Sequence, residues 1–135
     1  MRHRPLSTPL ATALAFLAFL TVAAASVPAH AHAILVDSSP KDNAVLSAPP
    51  REVVLRFNAR IEKRISRITL LDGAGRTVPL PPSPKRHGDG PPDRLVISLP
   101  PLRPGAYRLQ YRILATDGHA TLGLLRFTVS GGGGP

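Results

Sequence analysis

Hydrophobic and polar residues alternate along two segments of the chain, Glu52–Phe57 and Ala106–Leu114. In the second, tyrosine, leucine and isoleucine take every other position, with arginine or glutamine between them. A period of two predicts β-strands that place one face on a core and the other in water. Five further segments have strand character and end at proline, glycine or aspartate: Ala33–Val36, Ile65–Leu71, Arg76–Leu80, Arg94–Leu99 and Leu122–Val129.

Seven short strands separated by turn residues are typical of an all-β fold. No window of eleven or more residues after residue 31 shows a helical period, so we expect little helix. We therefore predict a seven-stranded immunoglobulin-like Greek-key sandwich. Tyr107 follows a glycine turn at the start of a strand. It is either the tyrosine corner of such a sandwich or an ordinary core aromatic.

The first 31 residues have the organisation of a secretory signal peptide. A basic start, Arg2–Arg4, precedes the apolar run Leu10–Val27, and Ala29–Ala31 is a small-x-small cleavage site. The run is also about long enough to span a bilayer, which makes an uncleaved anchor the alternative. Its alanine content and the cleavage site favour removal. We expect a periplasmic mature chain that begins at His32 and has no membrane span.

The mature chain is predicted to be one domain, residues 32–130. Within it, Pro79–Pro92 is rich in proline and glycine and is interpreted as a loop. Residues 131–135 have the composition of a flexible glycine-rich tail.

Composition removes several classes of function. The 135 residues contain no cysteine, which excludes disulfides, zinc fingers, iron–sulfur clusters and thiol catalysis. The one methionine is Met1, so the mature chain offers no sulfur ligand to Cu(I). The formal charge of +9 suits a solvated surface or contact with anionic lipid or envelope polymer. Nucleic acid is not an expected partner, because aromatic residues make up only 4% of the chain and the signal directs it out of the cytoplasm.

Three histidines remain after cleavage: His32, His87 and His119. An N-terminal histidine offers its α-amine and a ring nitrogen to one metal ion. Asp117-Gly118-His119 adds a carboxylate and a second imidazole. In an extended backbone these two side chains share one face, about 6.5–7 Å apart, but Asp-Gly is also a common turn sequence. His87 is interpreted as an exposed loop residue outside the site.

These motifs, in this order, resemble those of the CopC-type copper-resistance proteins, small periplasmic copper carriers with an immunoglobulin-like β-sandwich. The mature start is similar to that family's H-x-x-L-x-x-S-x-P. The segments that carry the resemblance are His32–Pro40, Val54–Asn58, Pro104–Tyr111, Asp117–His119 and Gly123–Val129.

The resemblance implies one Cu(II) ion per mature chain, bound by the amine and ring of His32, the ring of His119 and the carboxylate of Asp117. Such a tetragonal set of nitrogen and oxygen donors suits Cu(II). It also implies a monomeric carrier or buffer in copper resistance or homeostasis, with an inner-membrane copper importer or other copper carriers as partners, and no enzyme. Two alternatives stay open: an oxidative enzyme with a copper histidine brace, and a metal-free immunoglobulin-like envelope domain.

The chain departs from the family pattern at three places. The family's Cu(I) site uses a methionine-rich loop, and the corresponding Leu71–Pro82 has no methionine, so no Cu(I) site is expected. Many members carry an acid where this chain has Asn58-Ala59-Arg60. A carboxylate that orients a ligand is then missing unless Glu62 replaces it. Ala120 stands where proline is frequent, which is a minor change.

Overall fold

A computed structural model of the chain describes residues 32–82 and 90–131. The predicted signal peptide, His87 and residues 132–135 of the predicted tail lie outside the described residues. Eight strands and no helix occur within them: β1 Leu35–Ser39, β2 Ala44–Leu46, β3 Glu52–Phe57, β4 Arg67–Asp72, β5 Thr77–Val78, β6 Arg94–Ser98, β7 Gly105–Leu114 and β8 Ala120–Val129. In these two ranges no helix has the length and apolar character needed to cross a bilayer.

The strands form two sheets that enclose one core. One sheet has the order β1-β3-β6 and the other β2-β8-β7-β4-β5. Neighbours are antiparallel except β2 and β8, which run parallel. The chain passes to the larger sheet after β3, returns after β5 and passes again after β6. This arrangement confirms the predicted all-β, immunoglobulin-like sandwich.

The strand that the sequence pattern does not reveal is β2, so the described residues contain eight strands where seven are predicted. Each predicted segment overlaps an observed strand. β2 is only three residues long and follows Asn43, whose φ is +61°. The Asn43 N–H donates to the Arg126 carbonyl at 2.8 Å. Pairing with β8, and not a local hydrophobic pattern, therefore makes this segment a strand.

The core consists of the inward-facing residues of both sheets. Alternation holds along β3 and β7, where buried residues are separated by more exposed ones. The buried residues of these two strands are Val53, Leu55, Phe57, Tyr107, Leu109, Tyr111 and Ile113. The prediction of two half-buried strands is confirmed.

Gly123 allows β7 and β8 to pack near their shared turn. It lies opposite Tyr111, and a Cβ atom there would stand 2.0 Å from the tyrosine ring. The Tyr111 ring in turn meets Phe57 edge-on, with the ring centroids 6.0 Å apart. Any larger residue at position 123 displaces this ring, so the glycine is required by packing.

Tyr107 is a tyrosine corner. Its hydroxyl donates to the Arg103 carbonyl at 2.8 Å, four residues upstream, and its ring stacks on Phe127. We expect Tyr107→Phe to lower the free energy of unfolding by about 1 kcal/mol, because the carbonyl loses its partner while the ring stays packed. Urea denaturation measures this, with Tyr111→Phe on the same strand as the control. Equal stability of Tyr107→Phe and the parent protein contradicts the assignment.

Candidate metal centre

The turn between β7 and β8 contains two of the three predicted ligands. Gly118 has a φ of +88°, a conformation that glycine adopts at little cost. The Gly118 N–H donates to the Ala115 carbonyl at 3.0 Å, and the Ala115 N–H donates to the His119 carbonyl at 2.9 Å. The extended geometry considered for Asp117 and His119 is therefore wrong, and the motif forms a tight turn.

The carboxylate of Asp117 lies against His119. Its Oδ1 accepts a hydrogen bond from the His119 backbone N–H at 2.9 Å, and its Oδ2 lies 3.3 Å from Nδ1 of the His119 ring. That backbone hydrogen bond, helped by interactions with the rings of His119 and His32, holds the pKa of Asp117 below its ordinary value although burial opposes the shift. The carboxylate is ionised at neutral pH and available as a ligand.

His32 approaches the same place from the other sheet. It precedes Ala33, which is fully buried, and Ile34, which is held by two hydrogen bonds. The Ile34 N–H donates to Oδ1 of Asn58 at 2.8 Å, and the Asn58 N–H donates to the Ile34 carbonyl at 3.0 Å. The ring of His32 then lies beside that of His119, with centroids 4.9 Å apart and planes inclined by 36°.

The segment after β3 joins the two sheets at this end of the sandwich. Asn58 holds the chain next to His32. Two residues later the Arg60 carbonyl accepts a hydrogen bond from the Thr116 N–H at 3.2 Å. Ile61 forms a β-bridge with Ala115 in the turn that carries Asp117 and His119. Residues more than 80 positions apart are thereby brought into contact.

The centre lies at the protein surface. The side chain of His119 is 43% exposed and that of Asp117 is 27% exposed, and His32 is exposed as well. Nδ1 of His119, which faces Asp117, is buried. Solvent therefore reaches the cluster without any opening of the core.

The three predicted ligands meet as two pairs that share His119. No group of three or more histidine, aspartate or glutamate side chains in residues 32–82 and 90–131 already has the geometry of a metal site. Metal–nitrogen bonds of about 2.0–2.1 Å place neighbouring donor atoms about 3 Å apart. The 3.3 Å between Asp117 Oδ2 and His119 Nδ1 fits two donors to one ion. Two imidazoles and a carboxylate bind divalent first-row metals, with Cu(II) most tightly.

Asn58 is the residue that sequence reasoning missed as a contributor. Its side chain holds the backbone next to His32, and the only signal was a polar residue directly after a strand. Ala59, where many relatives have an acid, is half-buried and packs on the core. Glu62 is exposed, and its described contacts are made by its backbone, including an N–H that donates to Leu114 at 2.8 Å.

We expect Asn58→Ala to weaken metal binding about threefold to tenfold, because the loss of one hydrogen bond of about 1 kcal/mol loosens the chain next to His32. Asn58→Asp keeps the acceptor for the Ile34 N–H and should bind within about twofold of the parent protein. Competitive titration of Cu(II) against a chelator measures both. Equal affinities of Asn58→Ala and the parent protein contradict the positioning role.

Comparison with known proteins places these residues in context. Residues 35–130 match the family model of the CopC domain. This span includes Asp117 and His119 and begins three residues after His32. Copper resistance protein C of Xanthomonas campestris pv. juglandis is 33% identical over 109 residues, which cover 78% of this chain and 85% of that protein. Protein YobA of Escherichia coli K12 is 28% identical over 114 residues, which cover 84% and 90%.

Two solved structures have a similar fold. CopC from Methylosinus trichosporium OB3b superposes with a TM-score of 0.65 at 32% identity, covering 77% of this chain and 99% of that one. PcoC from Escherichia coli, a methionine-rich copper resistance protein, superposes with a TM-score of 0.60 at 26% identity, covering 74% and 100%. The described sandwich is thus nearly the whole of both relatives.

Proposed function

The chain belongs to the CopC family, and from this premise we propose that it carries or buffers one Cu(II) ion in the periplasm, in copper resistance or homeostasis. The observation that carries the proposal is the meeting of His32, His119 and ionised Asp117 at the end of the sandwich. Copper resistance proteins among the relatives support copper as the ion.

The ligand set is proposed to be completed by the α-amine of His32. Removal of residues 1–31 frees this amine, and the amine and a ring nitrogen of one histidine close a chelate ring on the ion. With the His119 ring and the Asp117 carboxylate, the ion then has three nitrogen donors and one oxygen donor. This set matches the preference of Cu(II) for tetragonal nitrogen and oxygen coordination.

A carrier is favoured over an oxidative enzyme by what surrounds the cluster. Asp117 adjoins His119 and would occupy a coordination position that oxygen chemistry needs open. Enzymes that cleave polymers usually present aromatic rings to them. Here every aromatic residue after residue 31 is buried: Phe57, Tyr107, Tyr111 and Phe127. We propose that the protein acts as a monomer and exchanges copper with an inner-membrane importer or other copper carriers.

The proposal is tested by loading the chain that begins at His32 with Cu(II), desalting it and measuring retained copper. We expect one copper per chain and an electron paramagnetic resonance spectrum of tetragonal Cu(II) with nitrogen ligands. Loss of all copper on desalting favours the metal-free domain. Oxygen uptake with reductant and polysaccharide, above that of free copper, favours the enzyme.

We expect no Cu(I) site of comparable strength. The chain after Met1 has no sulfur atom, and the stretch Leu71–Pro82 supplies neither methionine nor histidine. Thioether and thiolate ligands select Cu(I), whereas imidazole and carboxylate do not. In an anaerobic titration with reductant and a Cu(I) chelator, the chelator should take nearly all the copper. A full equivalent of Cu(I) kept by the protein contradicts this expectation.

A further inference from the structure

The outward surface of the five-stranded sheet is basic. Residues facing away from the core on β4, β7 and β8 include no aspartate and no glutamate. They include four exposed arginines, Arg67, Arg108, Arg112 and Arg126. We call these four residues and the surface between them the arginine face.

The arginines of this face stand opposite one another. Arg67 on β4 is the cross-strand partner of Arg112 on β7, and Arg108 on β7 is the partner of Arg126 on β8. Like charges directly opposite in a sheet are destabilising. In the part of the chain that the structure describes, the carboxylate paired with this face is Asp42, whose Oδ2 lies 3.6 Å from Arg126. Two self-repelling pairs are thus largely uncompensated by the protein itself.

The smaller sheet shows how the same chain neutralises such a pair. Arg56 on β3 stands opposite Arg94 on β6. There, Asp37 on the neighbouring strand β1 lies 3.9 Å from Arg56. The arginine face has no such strand-borne acid, so its counter-charge is to be sought in another molecule.

Exposed aliphatic side chains lie on the same surface. Leu122, 75% exposed, is the cross-strand neighbour of Arg112, and Val45 on β2, 73% exposed, pairs with Thr128 of β8. A depression of about 490 Å³ on this face is lined by residues that include Arg67, Arg112, Leu122 and Leu124. Arginine interleaved with exposed aliphatic side chains is the composition of surfaces that lie in a membrane interface.

We propose that the arginine face docks on an anionic phospholipid bilayer, with its arginines on lipid phosphates and Leu122 in the boundary of the acyl chains. Charge complementarity carries the proposal, because Arg binds phosphate in a bidentate geometry. The positive charges are spread in two rows, since Arg108 and Arg112 are about 13 Å apart along one strand. Phosphates that diffuse laterally match such a spacing without a preformed partner surface.

Docking in this way brings the metal centre close to the bilayer. Leu122 follows His119 by three residues, which is about 10 Å along β8. The proposal does not depend on copper, because none of the four arginines belongs to the predicted ligand set. It therefore stands or falls separately from the proposed function.

The test uses the chain that begins at His32, since the described residues contain both sheets and the core. Binding is measured by co-sedimentation with phosphatidylcholine vesicles, with or without 30% phosphatidylglycerol, at low salt. We expect binding only to the anionic vesicles, about 25-fold weaker in the double variant Arg67→Gln, Arg112→Gln. The control, Arg51→Gln with Arg94→Gln, removes the same charge elsewhere and should bind within about threefold of the parent protein.

The remaining outcomes are equally decisive. Leu122→Ser should weaken vesicle binding several-fold with no change of charge, and thermal unfolding checks that each variant is folded. Equal losses in the two double variants reduce the effect to net charge and overturn the proposal. Capture by poly-glutamate without vesicle binding also overturns it, in favour of an acidic protein partner. His119→Ala, which removes a proposed copper ligand, should bind vesicles like the parent protein.

Discussion

Replacing His119 with alanine is expected to weaken Cu(II) binding by about 100-fold, or about 2.7 kcal/mol, and replacing Asp117 by about tenfold. His119 is the member shared by both pairs, lying 4.9 Å by ring centroid from His32 and 3.3 Å by nearest ligand atoms from Asp117. Its removal takes away a strong nitrogen donor and separates the other two ligands. Water replaces a carboxylate more readily than an imidazole, so the Asp117 variant retains more affinity.

The fold should survive both substitutions. The side chain of His119 is 43% exposed, and the turn is closed by its backbone carbonyl, which accepts from the Ala115 N–H. Alanine at position 119 keeps that bond, so the unfolding temperature should change little. His87→Ala removes a histidine outside the predicted site and should leave affinity unchanged. A His119→Ala protein that binds Cu(II) as tightly as the parent protein contradicts the proposed site.

The fold is predictable from this sequence wherever one strand carries its own pattern. β3 and β7 alternate strictly enough that a one-residue error in register would expose every core residue, so their faces are readable in advance. β2 carries no pattern, because three residues cannot show a period, and it becomes a strand through the Asn43–Arg126 contact with β8. Tertiary pairing of this kind has no local signal.

The candidate site divides in the same way. The identity of the three ligands follows from their chemistry and from the family resemblance, because few side chains in a sulfur-free chain bind Cu(II). The geometry does not follow. Gly118 turns the Asp-Gly-His motif back on itself, and Asn58 holds the chain beside His32 through a contact between residues 24 positions apart. Likewise, the opposition of Arg67 and Arg112 is visible only once the register of β4 and β7 is known.

A chain that begins at Ala31 is expected to bind Cu(II) at least tenfold more weakly at neutral pH than one that begins at His32, a difference of about 1.4 kcal/mol. The additional residue converts the α-amine of His32 into an amide. An amide nitrogen binds Cu(II) well only after it loses its proton, so a strong donor becomes a poor one near pH 7. The side chains and their positions are left as they are.

The same ligand set fixes how the two chains respond to acid. Protons compete with the metal for amine and imidazole nitrogens, so copper should leave the chain that begins at His32 as the pH falls through roughly 6 to 4. The lowered pKa of Asp117 keeps that carboxylate ionised over this range, so the loss reports on nitrogen ligands. The chain that begins at Ala31, with one nitrogen fewer, should release copper at a higher pH. Equal affinities and equal release curves would show that the amine is not a ligand and that processing of the N-terminus does not create the site.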